Sequence, residues 1–214
     1  SYVSTYEFLI KGWLLIAYSG IIELGFIIGL GYGGRDAPDF HLPFKNSVLL
    51  FPCFRGLSRS SRPDISTEPF WHIRHHLESV EKYISGGCVE DIWMAISALL
   101  KLYPDLAGNL GYLGSSFGGG ICALALAFEK RIARAHLNVP TFGHQLLRLR
   151  LKTLGSGASV QQFYRCHKKQ TIKVLRYYDA AIAAKRITVP VHCACAKFDP
   201  YVAPPGQFAI FNAL

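Results

Sequence analysis

The stretch from Gly114 to Gly120 constrains the fold of this chain more than any other. It reads Gly-Ser-Ser-Phe-Gly-Gly-Gly and separates an apolar run at 110–113 from another at 121–128. This order predicts a strand, a sharp turn and a helix, in which the glycines let strand and helix approach closely and the serine hydroxyl stands exposed. Ser116 is therefore a candidate nucleophile. The alternative is a glycine- and serine-rich loop before a helix, which would bind an anion or no ligand.

Apolar, β-prone runs alternate with helical patterns along the chain, and 50% of its 214 residues are hydrophobic. The predicted strands lie at 13–17, 25–30, 47–51, 110–114, 132–138 and 189–196, and the predicted helices at 89–102, 117–128, 160–175 and 207–214. This alternation predicts an α/β fold, a mostly parallel sheet with helices on both faces. No repeat or low-complexity linker divides residues 1–214, so we expect a single domain.

The apolar stretch at 8–30 carries only Lys11 and Glu23 as charges and is long enough for a membrane helix. Glu23 would then lie in the hydrocarbon, and the tripeptide Tyr-Ser-Gly at 18–20 is typical of a turn. We therefore expect buried strands here and no membrane span.

The six cysteines form no Cys-x-x-Cys pair and no zinc-type spacing with the eight histidines. The sequence therefore predicts no metal site, and it favours reduced thiols and a cytoplasmic protein.

The formal net charge of +9 is concentrated at 148–186, where ten Lys and Arg residues accompany the single acid Asp179. Such a cluster can attract nucleic acid or another anionic polymer. A solvated helical face is the commoner arrangement, and no aromatic-interleaved motif accompanies the charges. We therefore expect no nucleic-acid partner.

A serine nucleophile needs an oxyanion hole, a general base and a group that orients the base. The backbone amide of Phe117, directly after the serine, is one predicted oxyanion donor. The amide of Tyr32 is the second, because it follows an apolar run and is flanked by glycines that let it turn inward. The alternative for Tyr32 is a glycine-rich turn with no catalytic part.

Asp199 is the candidate triad acid, because it comes directly after the apolar run at 191–198, where the chain leaves the carboxyl end of a predicted strand. It also precedes Pro200, and an Asp-Pro pair that merely starts a turn is the alternative.

The chain resembles the acetyl xylan esterases and cephalosporin C deacetylases of the α/β-hydrolase superfamily. The matching stretches are GYGGR at 31–35, GSSFGGG at 114–120, NVPTFGH at 138–144, RYYDA at 176–180, and VPV, FDP and PP between 189 and 205. The resemblance implies Ser116 as nucleophile, Asp199 as triad acid, and the amides of Tyr32 and Phe117 as the oxyanion hole. It also implies removal of acetyl groups from sugars or similar small esters without metal or organic cofactor, and a homo-oligomer.

The chain departs from this family in two places. Phe117 stands where the family usually has Gln, although the backbone amide makes the relevant bond. The triad histidine of the family follows the acid after one more helix and strand, so we expect the last strand and the histidine loop to lie beyond Leu214. A non-catalytic α/β-hydrolase-fold protein that has lost its base is the alternative function.

The histidines within the chain offer no obvious replacement base. His72, His75 and His76 belong to the long excursion at 52–87, and we expect them on the surface. We expect His136 and His192 to lie within strands. His144 follows a strand end, but the resemblance assigns it to the pocket wall. It is the first replacement to consider.

Overall fold

A six-stranded sheet forms the centre of the computed structural model, which describes residues 2–3, 9–17, 20–32 and 45–214. The strands are β1 (Tyr2–Val3), β2 (Leu9–Ile10), β3 (Gly12–Ile16), β4 (Leu24–Gly29), β5 (Ser47–Pro52), β6 (Leu110–Ser115), β7 (Ile132–Asn138) and β8 (Val191–Ala194). The helices are α1 (Pro69–His72), α2 (Ile84–Leu102), α3 (Phe117–Leu126), α4 (Gln145–Arg148), α5 (Gly155–Cys166), α6 (Lys168–Tyr177), α7 (Ala180–Ala184) and α8 (Pro204–Phe211), with 3₁₀ turns at Ser58–Ser60 and Pro104–Leu106.

The order of the strands in the sheet brings the ends of separate segments together. The order is β3-β5-β4-β6-β7-β8, with β3 antiparallel to β5 and every other pair parallel, while β1 and β2 form a separate antiparallel pair. Ser115 of β6 is in register with Asn138 of β7, which is in register with Ala194 of β8. The residues that follow these strands therefore share one edge of the sheet, where ligands bind in open α/β sheets.

The main hydrophobic core lies between the sheet and the helices. Ile27, Val48, Tyr112 and Leu137 project into it from four neighbouring strands, and α2 and α3 pack against these strands. Because side chains alternate along a strand, the neighbours of these residues face the other side of the sheet.

A second, smaller cluster covers part of that other side. It consists of Phe26, Ile28, Leu49 and Phe51, and the described residues packed against it are Trp13, Leu15, Leu24, Leu30 and Leu113. All of these belong to strands or, for Leu30, to the residue after one. Helices on this face therefore stay a prediction, as does the division into a single domain.

The predicted strands are confirmed to within two residues at each end. The stretch at 8–30 contributes β2, β3 and β4, and no helix in the described part of the chain is long and apolar enough to cross a membrane. The single helix predicted at 160–175 is wrong. His167 leaves the helical region, with φ −129° and ψ 46°, and separates α5 from α6.

The excursion at 52–87 is not the surface segment that the sequence predicts. Phe54, Ile65, Ile73 and Leu77 are buried in the main core. The many Arg, Ser and His residues of this segment suggested a surface position, but its large apolar residues are buried. Each such side chain stabilises the fold by about 1.5–3 kcal/mol when fully buried, so together they hold the segment against the core.

Candidate active site

Ser116 lies between the end of β6 and the start of α3, as the sequence predicts. Its φ of 51° and ψ of −112° place a non-glycine residue in a strained region of backbone space. The Ser116 amide donates to Asn138 O at 2.9 Å, and its carbonyl accepts from Gly120 N at 3.0 Å and Thr141 N at 3.2 Å. These bonds hold the strained residue from both sides, and strain of this kind is found at functional sites.

Two glycines allow the close approach around this turn. A Cβ atom at Gly118 would collide with the carbonyl oxygen of Gly29, so α3 begins directly against the end of β4. A Cβ atom at Gly31 would lie 3.8 Å from Ser116 Oγ. The loop after β4 therefore lies against the serine hydroxyl.

The amides of Tyr32 and Phe117 belong to the residues that directly follow Gly31 and Ser116, which approach each other at this turn. Tyr32 follows Gly31, and Phe117 is the first residue of α3, where backbone amides lack an intrahelical acceptor. Neither amide, nor Ser116 Oγ, makes a hydrogen bond to another described residue. An amide without an acceptor can donate to an oxyanion, and the oxyanion-hole role of Tyr32 and Phe117 stays a prediction.

Asp199 lies beyond the end of β8, on the same edge of the sheet as Ser116. Its Oδ1 accepts from Tyr201 N at 2.8 Å and Val202 N at 2.9 Å, which fixes the half-buried carboxylate. Within the described residues Oδ2 has no partner, and Asp199 makes no bond to Ser116. The second oxygen is therefore free to accept from an imidazole.

None of the described histidines makes a hydrogen bond to Ser116. His144 is the N-cap of α4, and its Nδ1 accepts from Leu147 N at 3.3 Å. His136 and His192 stack on adjacent strands, with 2.7 Å between their Nδ1 atoms. His75 and His76 line a cavity of about 470 Å³ that none of the four predicted site residues lines. His41 lies outside the described residues.

His72 corrects the surface placement expected for the histidines of the excursion, because it has no exposed surface. Its Nε2 lies 2.9 Å from Arg55 O, and its Nδ1 lies 2.9 Å from the Tyr32 hydroxyl. Burial lowers the pKa of His72 to about 4, so the ring is neutral at neutral pH. Burial also raises the pKa of Tyr32 well above its usual value, so its hydroxyl stays protonated.

Arg55, whose carbonyl binds His72, forms a buried ion pair with Asp91. Arg55 donates to Asp91 Oδ2 through its backbone amide at 2.8 Å, and to Asp91 Oδ1 through Nε at 3.0 Å and Nη2 at 2.7 Å. Sequence reasoning missed this pair and His72. The apolar residues next to Arg55 and His72 in the sequence could have indicated that these two are buried, because a segment that buries several apolar side chains also buries some of their polar neighbours.

A sequence profile identifies the family of this chain. The profile described as acetyl xylan esterase matches residues 56–214, a range that contains Ser116, Phe117 and Asp199 and begins after Tyr32. The chain belongs to the acetyl xylan esterase family. It is therefore a carboxylic ester hydrolase, and membership of this family implies small ester substrates.

Solved structures share the fold at low identity. The acetyl xylan esterase from Paenibacillus sp. R4 has 20% identity and a TM-score of 0.83, over 99% of this chain and 72% of that one. Acetyl xylan esterase 1 from Thermoanaerobacterium sp. JW/SL YS485 has 16% identity and a TM-score of 0.78, over 96% and 69%. The Pyrococcus horikoshii acylaminoacyl peptidase has 15% identity and a TM-score of 0.65, over 96% and 32%. The predicted α/β-hydrolase fold is confirmed. No curated protein matches the sequence.

Proposed function

We propose that this acetyl xylan esterase family member is a serine esterase that removes acetyl groups from small esters such as acetylated sugars. The observation that carries the proposal is the strained Ser116 elbow, whose hydroxyl has no hydrogen-bond partner among the described residues and lies against the loop at Gly31. The neighbouring acetyl xylan esterases suggest the acyl group and the substrate class.

In this mechanism Ser116 Oγ attacks the acetyl carbon while a histidine takes its proton. The carbonyl oxygen becomes an oxyanion that accepts from the amides of Tyr32 and Phe117. Asp199 Oδ2 accepts from the other ring nitrogen of the histidine and holds its tautomer. The histidine then protonates the departing alcohol, and water attacks the acetyl-serine to release acetate.

The general base is proposed to be a histidine beyond Leu214. No described histidine makes a hydrogen bond to Ser116 Oγ, and the Oδ2 of Asp199, which is free among the described residues, supports a partner that approaches from outside them. His144 remains the first alternative within the chain.

The test compares Ser116→Ala with Ser115→Ala, both in the natural full-length protein, in hydrolysis of p-nitrophenyl acetate. Ser115 is the matched control because it is adjacent and its Oγ accepts from Asn138 Nδ2 at 3.3 Å rather than lying free. We expect loss of about 10⁴-fold or more in kcat for Ser116→Ala, near wild-type activity for Ser115→Ala, and fluorophosphonate labelling at Ser116 alone. His144→Ala should keep its activity. Undiminished hydrolysis by Ser116→Ala would refute the mechanism, and an inactive, folded wild type would favour a non-catalytic binding protein.

A further inference from the structure

The Tyr32 side chain turns inward from the loop that carries its amide and ends on His72. The structure determines which way each hydrogen bond runs. Arg55 O is a carbonyl and only accepts, so His72 Nε2 carries the ring proton and donates at 2.9 Å. His72 Nδ1 is then unprotonated and accepts from the Tyr32 hydroxyl at 2.9 Å. The buried imidazole is thus a tautomer-fixed acceptor for Tyr32.

Aromatic packing joins the same residues to the second oxyanion donor. The Tyr32 and Phe117 rings are 4.2 Å apart between centroids, and the His72 ring meets Phe117 edge-on at 5.8 Å. The Phe54 and Phe117 rings also meet edge-on, with 5.3 Å between their centroids. The side chains of both proposed oxyanion donors therefore lie in one closely packed aromatic group.

Arg55 holds His72 in place. Its carbonyl receives the His72 bond, while its amide and guanidinium are bound to the fully buried Asp91 of α2. A continuous series of hydrogen bonds therefore runs from α2 through Arg55 and His72 to the hydroxyl of Tyr32. The other end of Tyr32 is its backbone amide, which directly follows Gly31, the residue that lies against Ser116.

We propose that His72 is a positioning residue for the oxyanion hole: it holds the Tyr32 hydroxyl and thereby sets the place of the Tyr32 amide. The inference rests on the proposed function. An oxyanion donor contributes only when it lies at hydrogen-bond distance from the developing charge, and loss of one donor costs about 10²–10³ in kcat. The Tyr32 amide lies on a loop, so its position depends on what its side chain is bound to.

The first test uses Tyr32→Phe and His72→Leu in the natural full-length protein. Tyr32→Phe keeps the ring and the amide and removes only the hydroxyl. We expect each variant to lose about 10- to 100-fold in kcat, with KM changed less than about threefold, because the oxyanion contact forms only in the transition state. The double variant should be no worse than either single one, since both remove the same contact. His72→Asn, whose Oδ1 can accept near the position of Nδ1, should recover part of the loss.

Rates are divided by the concentration of active sites, which is measured by fluorophosphonate titration. If His72 only stabilises the fold, its replacement lowers the concentration of active sites and leaves kcat unchanged. Wild-type kcat in Tyr32→Phe, or multiplicative losses in the double variant, would overturn the proposal.

The second test does not depend on activity. The 15N order parameter of the residue-32 amide should fall in Tyr32→Phe and His72→Leu and stay unchanged in His136→Leu, a control whose ring bonds to His192 and to no other described residue. Unchanged order parameters in both variants would refute the positioning role even if the wild type proved inactive, so this failure is distinct from that of the proposed esterase.

Discussion

At the scale of single residues, the site depends on groups held in states that an isolated residue would not adopt. Ser116 has a positive φ that its hydrogen bonds to Asn138, Gly120 and Thr141 sustain. His72 is neutral and buried, with both ring nitrogens bonded. These two residues differ in one respect: the strain at Ser116 does not depend on pH, whereas the state of His72 does.

We predict that His72 makes stability fall as the solution becomes acidic. Its folded pKa of about 4 is below the ordinary value of 6.5, so between these values the unfolded chain binds a proton that the folded chain does not. The free energy of unfolding therefore decreases as pH falls from 6.5 to 4, by about 3 kcal/mol for a shift of this size. Urea unfolding at a series of pH values measures it.

His72→Asn is the control for this prediction, because it removes the titrating group and keeps a polar side chain. Its overall stability will be lower, but the slope of stability against pH between 6.5 and 4 should be shallower than in the wild type. Burial also lowers the pKa values of His75 and His136, and these residues remain in both proteins. Equal slopes would show that His72 carries no such linkage.

At the scale of elements, Asp179 joins two helices that the sequence did not predict. Its carboxylate accepts from the amides of His144 and Gln145 at the start of α4, at 3.0 and 2.7 Å. It also accepts from Ala181 and Ile182 at the start of α7, at 3.0 and 3.4 Å. A single buried carboxylate therefore satisfies four amides and fixes the spacing of the two helices.

We predict that Asp179→Ala lowers the free energy of unfolding by about 2–4 kcal/mol, since one N-cap contributes about 0.5–2 kcal/mol and charged acceptors lie at the upper end. Asp179→Asn keeps one oxygen acceptor and should lose about half as much. Urea unfolding measures both. Asp179→Ala within about 0.5 kcal/mol of the wild type would mean that water or other groups satisfy these amides equally well.

The same elements show what sequence reasoning can reach. The turn at Ser116 and the strand end before Asp199 were predictable, because periodicity and glycine spacing encode local geometry. Asp179 lies within the matching stretch RYYDA and is the single acid among ten basic residues, but no structural role is predicted for it, since its partners are amides that leave no trace in the sequence. His72 was misplaced for the same reason: burial of a polar residue depends on residues distant in the chain, here Tyr32 and Arg55.

At the scale of the whole molecule, the Arg55–Asp91 pair joins the segment after β5 to α2. Through the Arg55 carbonyl it also holds His72, which binds Tyr32. The side chains of Arg55 and Asp91 are 6% and 0% exposed. A Cβ atom at Gly87 would collide with the Arg55 guanidinium, so α2 leaves room for it. Breaking a buried pair by removing one partner is costly because the other charge stays buried, and replacing both by apolar groups is often tolerated.

We predict that Asp91→Asn lowers the free energy of unfolding by about 3–5 kcal/mol, out of a total that is about 5–15 kcal/mol for typical domains. Glu90→Gln is the matched control, because Glu90 binds the same guanidinium at 3.2 Å and its side chain is 24% exposed. It should lose at most about 1 kcal/mol. Arg55→Met combined with Asp91→Leu should be more stable than Asp91→Asn alone in urea unfolding. Equally small losses of unfolding free energy in Asp91→Asn and Glu90→Gln would mean that water solvates the guanidinium. Packing, and not charge, would then hold His72 and Tyr32 in place.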